Sequence, residues 1–531
     1  MKRLKRCSLI TVIFLLTLCI TLMGCSGSTP SPSNGSTDVN RDNSSGENND
    51  ATEEELETET KLEPANIIWY TVGDQHEDHD EVWGEFNDYL KSKIGTTIDL
   101  KFTTWTDWGT KYNVLLTSGE RIDGIFTSRW ANFYSYAKMG AFQDITDLLP
   151  VYAPESWSEI TEQQWQEATV DGKIYAFPTN DREFTPDGML YREDWRKELG
   201  CPEIVDIDTM AKYFDAVKNE KDITPINGTG ANIIERSAWY DGDFYHIAGE
   251  EGLIVKVQGY DTPRNVVSFV HSDTFMKMAK NAEEWQKAGY WPPDAISSTV
   301  NTEDTIKAGT GAAHWANPAG ARGVIVGQIK EGNPAEFGYF PFTKMTNVAV
   351  PNVSTNNAFS VPKSAKYPEN TIAAIELIRN DRTAYDLNFY GIEGKHWSLN
   401  GEGEVVIPAE GLDPTEVKGW DYANWAFRNP EMVYPPLVDW DGWEPINDYF
   451  GSIEQPNIHT PFFLDKDPIK AELAAIEQIK AQYHSQIIYG MGDAEQLVTE
   501  YRTELEKAGL QKVIDEIANQ LYDYYDSVGI K

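Results

Sequence analysis

Cysteine is nearly missing from this chain, with four among 531 residues. Cys7 and Cys19 lie in an N-terminal apolar run and Cys25 closes it, so Cys201 stands by itself in the remainder. No disulfide framework is available there, and a lone cysteine reads as a small hydrophobe rather than a nucleophile. Basic charge is short as well, 45 Lys and Arg against 84 Asp and Glu. That balance excludes a duplex-binding surface. After the N-terminal run no apolar stretch approaches a membrane span, so the chain is not itself a permease. No period of roughly 20–50 residues recurs, which removes solenoids and propellers. Gly-x-Ser-x-Gly, the P-loop and His-Glu-x-x-His are all absent, leaving no local signature of those catalytic classes.

What is present begins with Lys2, Arg3, Lys5 and Arg6, an apolar run from Cys7 to Met23, and Leu22-Met23-Gly24-Cys25. This reads as a secretory signal over residues 1–24 ending in a lipobox, with Cys25 the lipidated new N-terminus. The run is too short and too quickly broken for a retained span. A lipid with two or more chains holds stably, since each buried methylene contributes about 0.8 kcal/mol. Residues 25–65 are Ser, Gly, Asn, Asp, Thr and Glu with almost nothing apolar. Such a segment cannot build a core and is expected to be an acidic tether reaching about 35 Å.

The chain from Asn66 to Lys531 is longer than one core usually supports, which predicts two domains. Its opening reads as βαβ: a strand over Asn66–Val72, a helix through Val82–Ile94, and a strand over Thr97–Phe102. A helix from about Thr106 to Ser118 and a strand at Asp123–Phe126 continue the alternation. Strands separated by helices imply a parallel sheet, whose ligands sit beyond the strands' carboxyl ends. That rule marks Thr71, Gly73, Asp74 and Gln75 after the first strand, and Ser128, Arg129 and Trp130 after the third. At the other end, Asp467-Pro468 predicts a helix start, Ile469, Leu473, Ile476 and Ile479 form a core stripe, and helices follow over Asp493–Lys507 and Gln511–Tyr525.

Several segments together resemble the family 1 extracellular solute-binding proteins of carbohydrate importers. They are Asp171-Gly172-Lys173-Ile174-Tyr175-Ala176-Phe177-Pro178 followed by Tyr191-Arg192-Glu193-Asp194-Trp195, then Gly309-Thr310-Gly311-Ala312-Ala313-His314-Trp315, and Tyr390-Gly391-Ile392-Glu393-Gly394-Lys395-His396-Trp397. The resemblance implies an α/β, two-lobed type II periplasmic-binding-protein fold with a hinge, an interlobe cleft and a helical C-terminal region. Residues 66–182 and 343–397 would form one lobe, and residues 183–342 and 398–531 the other. The crossings are expected at Pro178–Leu190, Pro341–Thr343 and Trp397. The implied function is capture of an oligosaccharide and delivery to ABC permease subunits, by a lipid-anchored monomer on the outer face of the cell membrane, with no cofactor and no catalysis.

Within that resemblance, Trp315 is implied to lie in the cleft, as are Asn180, Asp181, Arg182 and Glu183 after the first crossing; Glu393 and His396 belong to the third box. Pyranose rings present C–H faces to aromatic rings and rim hydroxyls to Asp, Asn, Glu and Arg. Aromatic residues flanked by such groups therefore add Trp239, Tyr240 and Trp425 to the cleft candidates Asp74, Arg129 and Trp130. Relatives that bind acidic polysaccharide can carry a calcium loop, but Lys218-Asn219-Glu220-Lys221-Asp222 is half basic and Asp241-Gly242-Asp243 is too small a ligand set. His76-Glu77-Asp78-His79-Asp80 lacks a third defined ligand and reads as a solvated loop rather than a metal site. Two competing readings remain, a secreted glycoside hydrolase, whose two carboxylates need not be near in sequence, and a surface adhesin or sensor.

Overall fold

In the computed structural model, residues 62–247, 252–413 and 416–531 are described. The signal, Cys25 and nearly all of the acidic tether lie outside them. No helix among the described residues is long and apolar enough to cross a membrane.

The first lobe starts with the expected alternation: β1 (Ala65–Val72), α1 (His79–Ile94), β2 (Thr96–Thr103), α2 (Trp108–Thr117) and β3 (Gly124–Thr127). Ile67, Trp69 and Val72 of β1 are fully buried, as are Val82, Phe86 and Leu90 of α1. Each element thus buries the face its apolar period marks out. The sheet order is β2, β1, β3, then Ala358–Ser360 and Phe177–Pro178. The first three strands are parallel, but Ala358–Ser360 runs antiparallel to both neighbours, so the sheet is mixed rather than wholly parallel.

The second lobe carries an antiparallel sheet ordered Ala313–Ala316, Gly188–Arg192, Phe337–Pro341. The C-terminal helices Lys470–Ile488, Ala494–Lys507 and Leu510–Val528 pack against one another, helix Asp273–Ala288 and strand Val266–Ser268, and Ile476, Val498, Tyr501, Val513, Ile517 and Leu521 join the core of this lobe. Asp467 and Pro468 form a separate 3-10 turn, so the first of these helices begins at Lys470. Cys201 is half-buried, and burial raises its thiol pKa, which keeps it in the inert form.

Three segments cross between the lobes. The first runs from Pro178 to Pro186 and the second from Pro341 to Val353, after which Ser354, Thr355 and Asn356 bond to the first lobe. The third was expected near Trp397, but Trp420, Tyr422, Ala426 and Phe427 are buried in the first lobe's core. Phe427 stacks on Trp69 at 5.5 Å, and Thr71 Oγ1 donates to the Ala423 carbonyl at 2.9 Å. Past that point Asp439 pairs with Arg322 and Trp440 packs against Tyr339 of the second lobe. The crossing therefore falls between Phe427 and Asp439, and the segment from Trp420 to Phe427 goes with the first lobe.

The crossings share one small core. Phe184 from the first, Ala349 from the second, and Phe450 and Ile453 beyond the third are packed together. The Ala349 amide donates to the Ile453 carbonyl at 3.1 Å, and the Asn352 amide to that of Glu183 at 2.8 Å. Arg182 pairs with Glu454 across the same junction.

Candidate interlobe binding site

Gly188 sets the site's geometry. A Cβ there would lie 2.3 Å from the Tyr339 hydroxyl, so only glycine lets Tyr339 cross the strand. That hydroxyl donates to the carbonyls of Pro186 and Ala316, both at 3.3 Å, and so ties the end of the first crossing to the strand carrying Trp315. Asp187 is thereby placed under Trp315, whose Nε1 donates to Asp187 Oδ1 at 2.9 Å. Arg236 Nη1 lies 3.4 Å from the same oxygen, its guanidinium 5.3 Å from the centre of the Trp315 ring and 4.5 Å from that of Trp239. The Lys256 ammonium lies 4.4 Å from the Trp239 ring, and His246 meets the same ring edge-on at 4.7 Å. Tyr240 Oη accepts from the Asp187 amide at 3.1 Å.

These groups open on a cavity of about 360 Å³. The second lobe contributes Asp187, Arg236, Trp239, Tyr240, Trp315 and His459, the first lobe Arg129, Trp130 and Asn356, and the crossings Thr185, Pro351 and Asn352. Trp130 is oriented by its Nε1, which donates to the Asn356 carbonyl at 3.0 Å. Indole faces, an Arg–Asp pair and several amides around one cavity suit a ligand with flat apolar faces and many hydroxyls.

Both imidazoles at the cavity are held neutral. Burial first, then Lys256, Arg236 and Arg129, push His246 well below the usual range. Burial and then Arg129 lower His459 from 6.5 to about 4. An unfolded chain takes up these protons as pH falls below about 6.5 whereas the folded chain does not, so the stability is present above 6.5 and lost toward pH 4. Urea titrations near pH 7 and about pH 4.5 should show this loss, with His459→Asn reducing it by about 1–2 kcal/mol. An unchanged slope would mean that His459 titrates at its ordinary value.

Of the residues marked in the sequence, Trp315, Trp239, Tyr240, Arg129 and Trp130 converge on the cavity. Trp425 stacks at 5.9 Å on Trp105, which adjoins Trp130, so it sits beside the cavity. Asp74 is exposed at the end of β1. The other candidates are engaged within the scaffold. Asn180 Oδ1 accepts from Arg379 at 2.9 Å, Asp181 from Arg428 at 2.8 Å, and Arg182 and Glu183 belong to the hinge, where Asn352 Nδ2 donates to Glu183 at 3.1 Å. Expectation placed these four in the cleft, but none of them lines this cavity, their side chains being taken up by these partners. His396 is fully buried: its Nδ1 accepts from the Ile392 amide at 3.0 Å and its Nε2 lies 3.2 Å from Asp78. Glu393 is exposed in that turn. A Cβ on Gly391 would lie 2.7 Å from that of Trp420, so the box is a tight first-lobe corner rather than a ligand loop.

His76 Nε2 lies 3.1 Å from the Gly419 carbonyl and buried His79 stacks on Trp83 at 5.5 Å. Among the described residues, no group of three His, Cys, Asp or Glu is arranged to hold a metal ion. Sequence reading missed Asp187, Arg236, His246, Asn356 and His459. Asp187 alone carried a local signal, as the residue just before the first strand of the second lobe.

The family model for bacterial extracellular solute-binding proteins matches residues 86–385, more than half of the chain. The chain belongs to this family. Residues 459–526 of this solute-binding protein also match a domain of unknown function, which begins at the cavity residue His459 and takes in the C-terminal helices. A carbohydrate ABC transporter substrate-binding protein of Streptococcus pneumoniae is 23% identical over 470 residues, covering 86% of this chain and 90% of the relative. The solute-binding protein also superposes on the N-glycan transport solute-binding protein NgtS of Streptococcus pneumoniae with a TM-score of 0.70 at 20% identity, covering 87% and 99% of the two chains. The complex of NgtS with Man5GlcNAc gives 0.66 at 20% identity over 88% and 99%. This likeness shows a two-lobed periplasmic-binding-protein fold.

Proposed function

We propose that the protein is the extracellular receptor of an ABC importer, capturing an oligosaccharide between its lobes and handing it to membrane permease subunits. The observation that carries this reading is the cavity in which Trp315 and Trp239 of one lobe face Trp130, Arg129 and Asn356 of the other across the hinge. A ligand touching both sides stabilises the closed form, whereas one touching a single lobe does not shift the equilibrium. The named function of the Streptococcus pneumoniae relative and the glycan bound to NgtS support the same ligand class. The protein acts as a monomer, tethered through a lipid on Cys25 and an acidic linker, and performs no covalent chemistry.

Thermal unfolding of the full chain against a panel of oligosaccharides, with peptides as controls, tests this. A ligand at a hundred times its dissociation constant stabilises by roughly 2.7 kcal/mol, an upward shift of about 3 °C or more. The glycan should be recovered intact; its progressive cleavage would replace capture with hydrolysis. A shift with peptides alone would overturn the sugar assignment.

A further inference from the structure

The parallel strands of the first lobe end side by side, since Val72 is in register with Thr103 and the Gly73 amide donates to the Thr103 carbonyl at 2.8 Å. The carboxyl-end rule that marks Asp74 and Trp130 applies equally to the loop after β2, and there the chain places Trp105. Its side chain is 49% exposed, the one tryptophan among the large exposed apolar residues described. It belongs to no core cluster, yet it is not loosely held. Its ring lies 6.2 Å from Trp130 at 30° and 5.9 Å from Trp425 at 27°. Those two rings rest on Phe126 at 5.7 and 6.0 Å, Phe126 itself being buried, and Trp108 braces Trp130 edge-on at 5.6 Å. Trp130 also lines the cavity, so an aromatic surface runs from the cavity wall outward to Trp105.

A half-exposed indole gains little from folding, because much of its apolar area stays in water. Its orientation is nevertheless fixed by two further indoles, which is how a flat recognition platform is pre-organised. The cavity of 360 Å³ lies at the small end of ligand sites, roughly 300–1,000 Å³. A long glycan has to leave it, and Trp130 leads to Trp105. We propose that Trp105, seated on Trp130 and Trp425, is the platform of an outer subsite that stacks sugar units beyond those in the cavity, so that the receptor selects for length. Exposed Asp74 follows Gly73, where a Cβ would lie 3.5 Å from Trp105 Nε1, at the same carboxyl end of the sheet, and is placed to accept from their hydroxyls. This inference rests on the oligosaccharide reading above and goes further by assigning the outer contact and the preference for longer chains.

The test is calorimetric titration of the full chain with Man1GlcNAc, Man5GlcNAc, and manno-, malto- and cello-oligosaccharides from disaccharide to hexasaccharide. In the series that binds, Trp105→Ala should weaken the longest member about tenfold and the disaccharide less than about twofold, while Trp105→Phe restores most of the loss. The longest member should also protect Trp105 from N-bromosuccinimide oxidation, mapped by peptide mass, and the disaccharide should not. Equal affinity of Trp105→Ala and the unaltered protein for the longest member, or an equal loss at both lengths, would overturn the outer subsite while leaving sugar capture standing. Absence of binding by the unaltered protein to every glycan would overturn the sugar reading and the subsite with it, and is seen before any variant is made.

Discussion

Trp315→Ala should lower affinity for the captured glycan by at least about a hundredfold, the scale of a buried aromatic anchor in a binding site. Two losses combine. The cavity wall loses an indole face, and Asp187 loses the Nε1–H donor at 2.9 Å from its carboxylate. Trp315→Phe separates them, because it keeps a ring but no Nε1–H, and its affinity should fall between the two. Calorimetric titration with whichever glycan stabilises the protein reads both effects. Unchanged affinity in Trp315→Ala would move the ligand out of this cavity. Little change in stability is expected, since Trp315 packs only at the margin of its core.

Arg379→Met should instead act on folding, costing about 3–5 kcal/mol in urea unfolding. Arg379 is fully buried in helix Pro368–Asn380, and burial lowers its pKa to about 10, which still leaves it charged at neutral pH. Its guanidinium donates to the Arg428 carbonyl at 2.8 Å, Asn180 Oδ1 at 2.9 Å and Ser156 Oγ at 3.3 Å. Methionine fills much of the space but takes the donor away from the Arg428 carbonyl and Asn180 Oδ1, whereas Ser156 Oγ keeps Asn380 Nδ2 at 3.1 Å. Asn180 opens the first crossing and Arg428 opens the third, so the same side chain anchors both to the first lobe. A cost below about 1 kcal/mol would mean that water reaches these acceptors and that the anchoring is dispensable.

The alternation from β1 to β3 could be read from sequence to within about three residues, because each element buries one face and leaves the other in water. The antiparallel strand Ala358–Ser360 could not, since three apolar and small residues carry no direction of their own. The site divides in the same way. Trp315 and Trp130 stand out as aromatics at strand ends among polar neighbours. Asp187, Arg236 and His459 gain their meaning only from segments far apart in the chain that meet at the cavity. The family box misled for a physical reason: Glu393 and His396 have side chains suited to a ligand, but the corner made by Gly391 turns His396 inward onto Asp78. Trp105 was available to the same rule that marked Trp130, which shows how the end of one strand is overlooked when the loops on either side carry more charge.

The single core formed by Phe184, Ala349, Phe450 and Ile453 gives the three crossings a common pivot. Segments joined at one point cannot slide independently, so sliding of one lobe over the other is suppressed and turning about that point is left as the easy motion. Turning of the lobes about that point is then the motion that separates the empty form from the occupied one. A pair of spin labels, one on each lobe and far from the cavity, should therefore change separation on ligand binding, and a distant surface of the molecule carries the same information to anything that binds there.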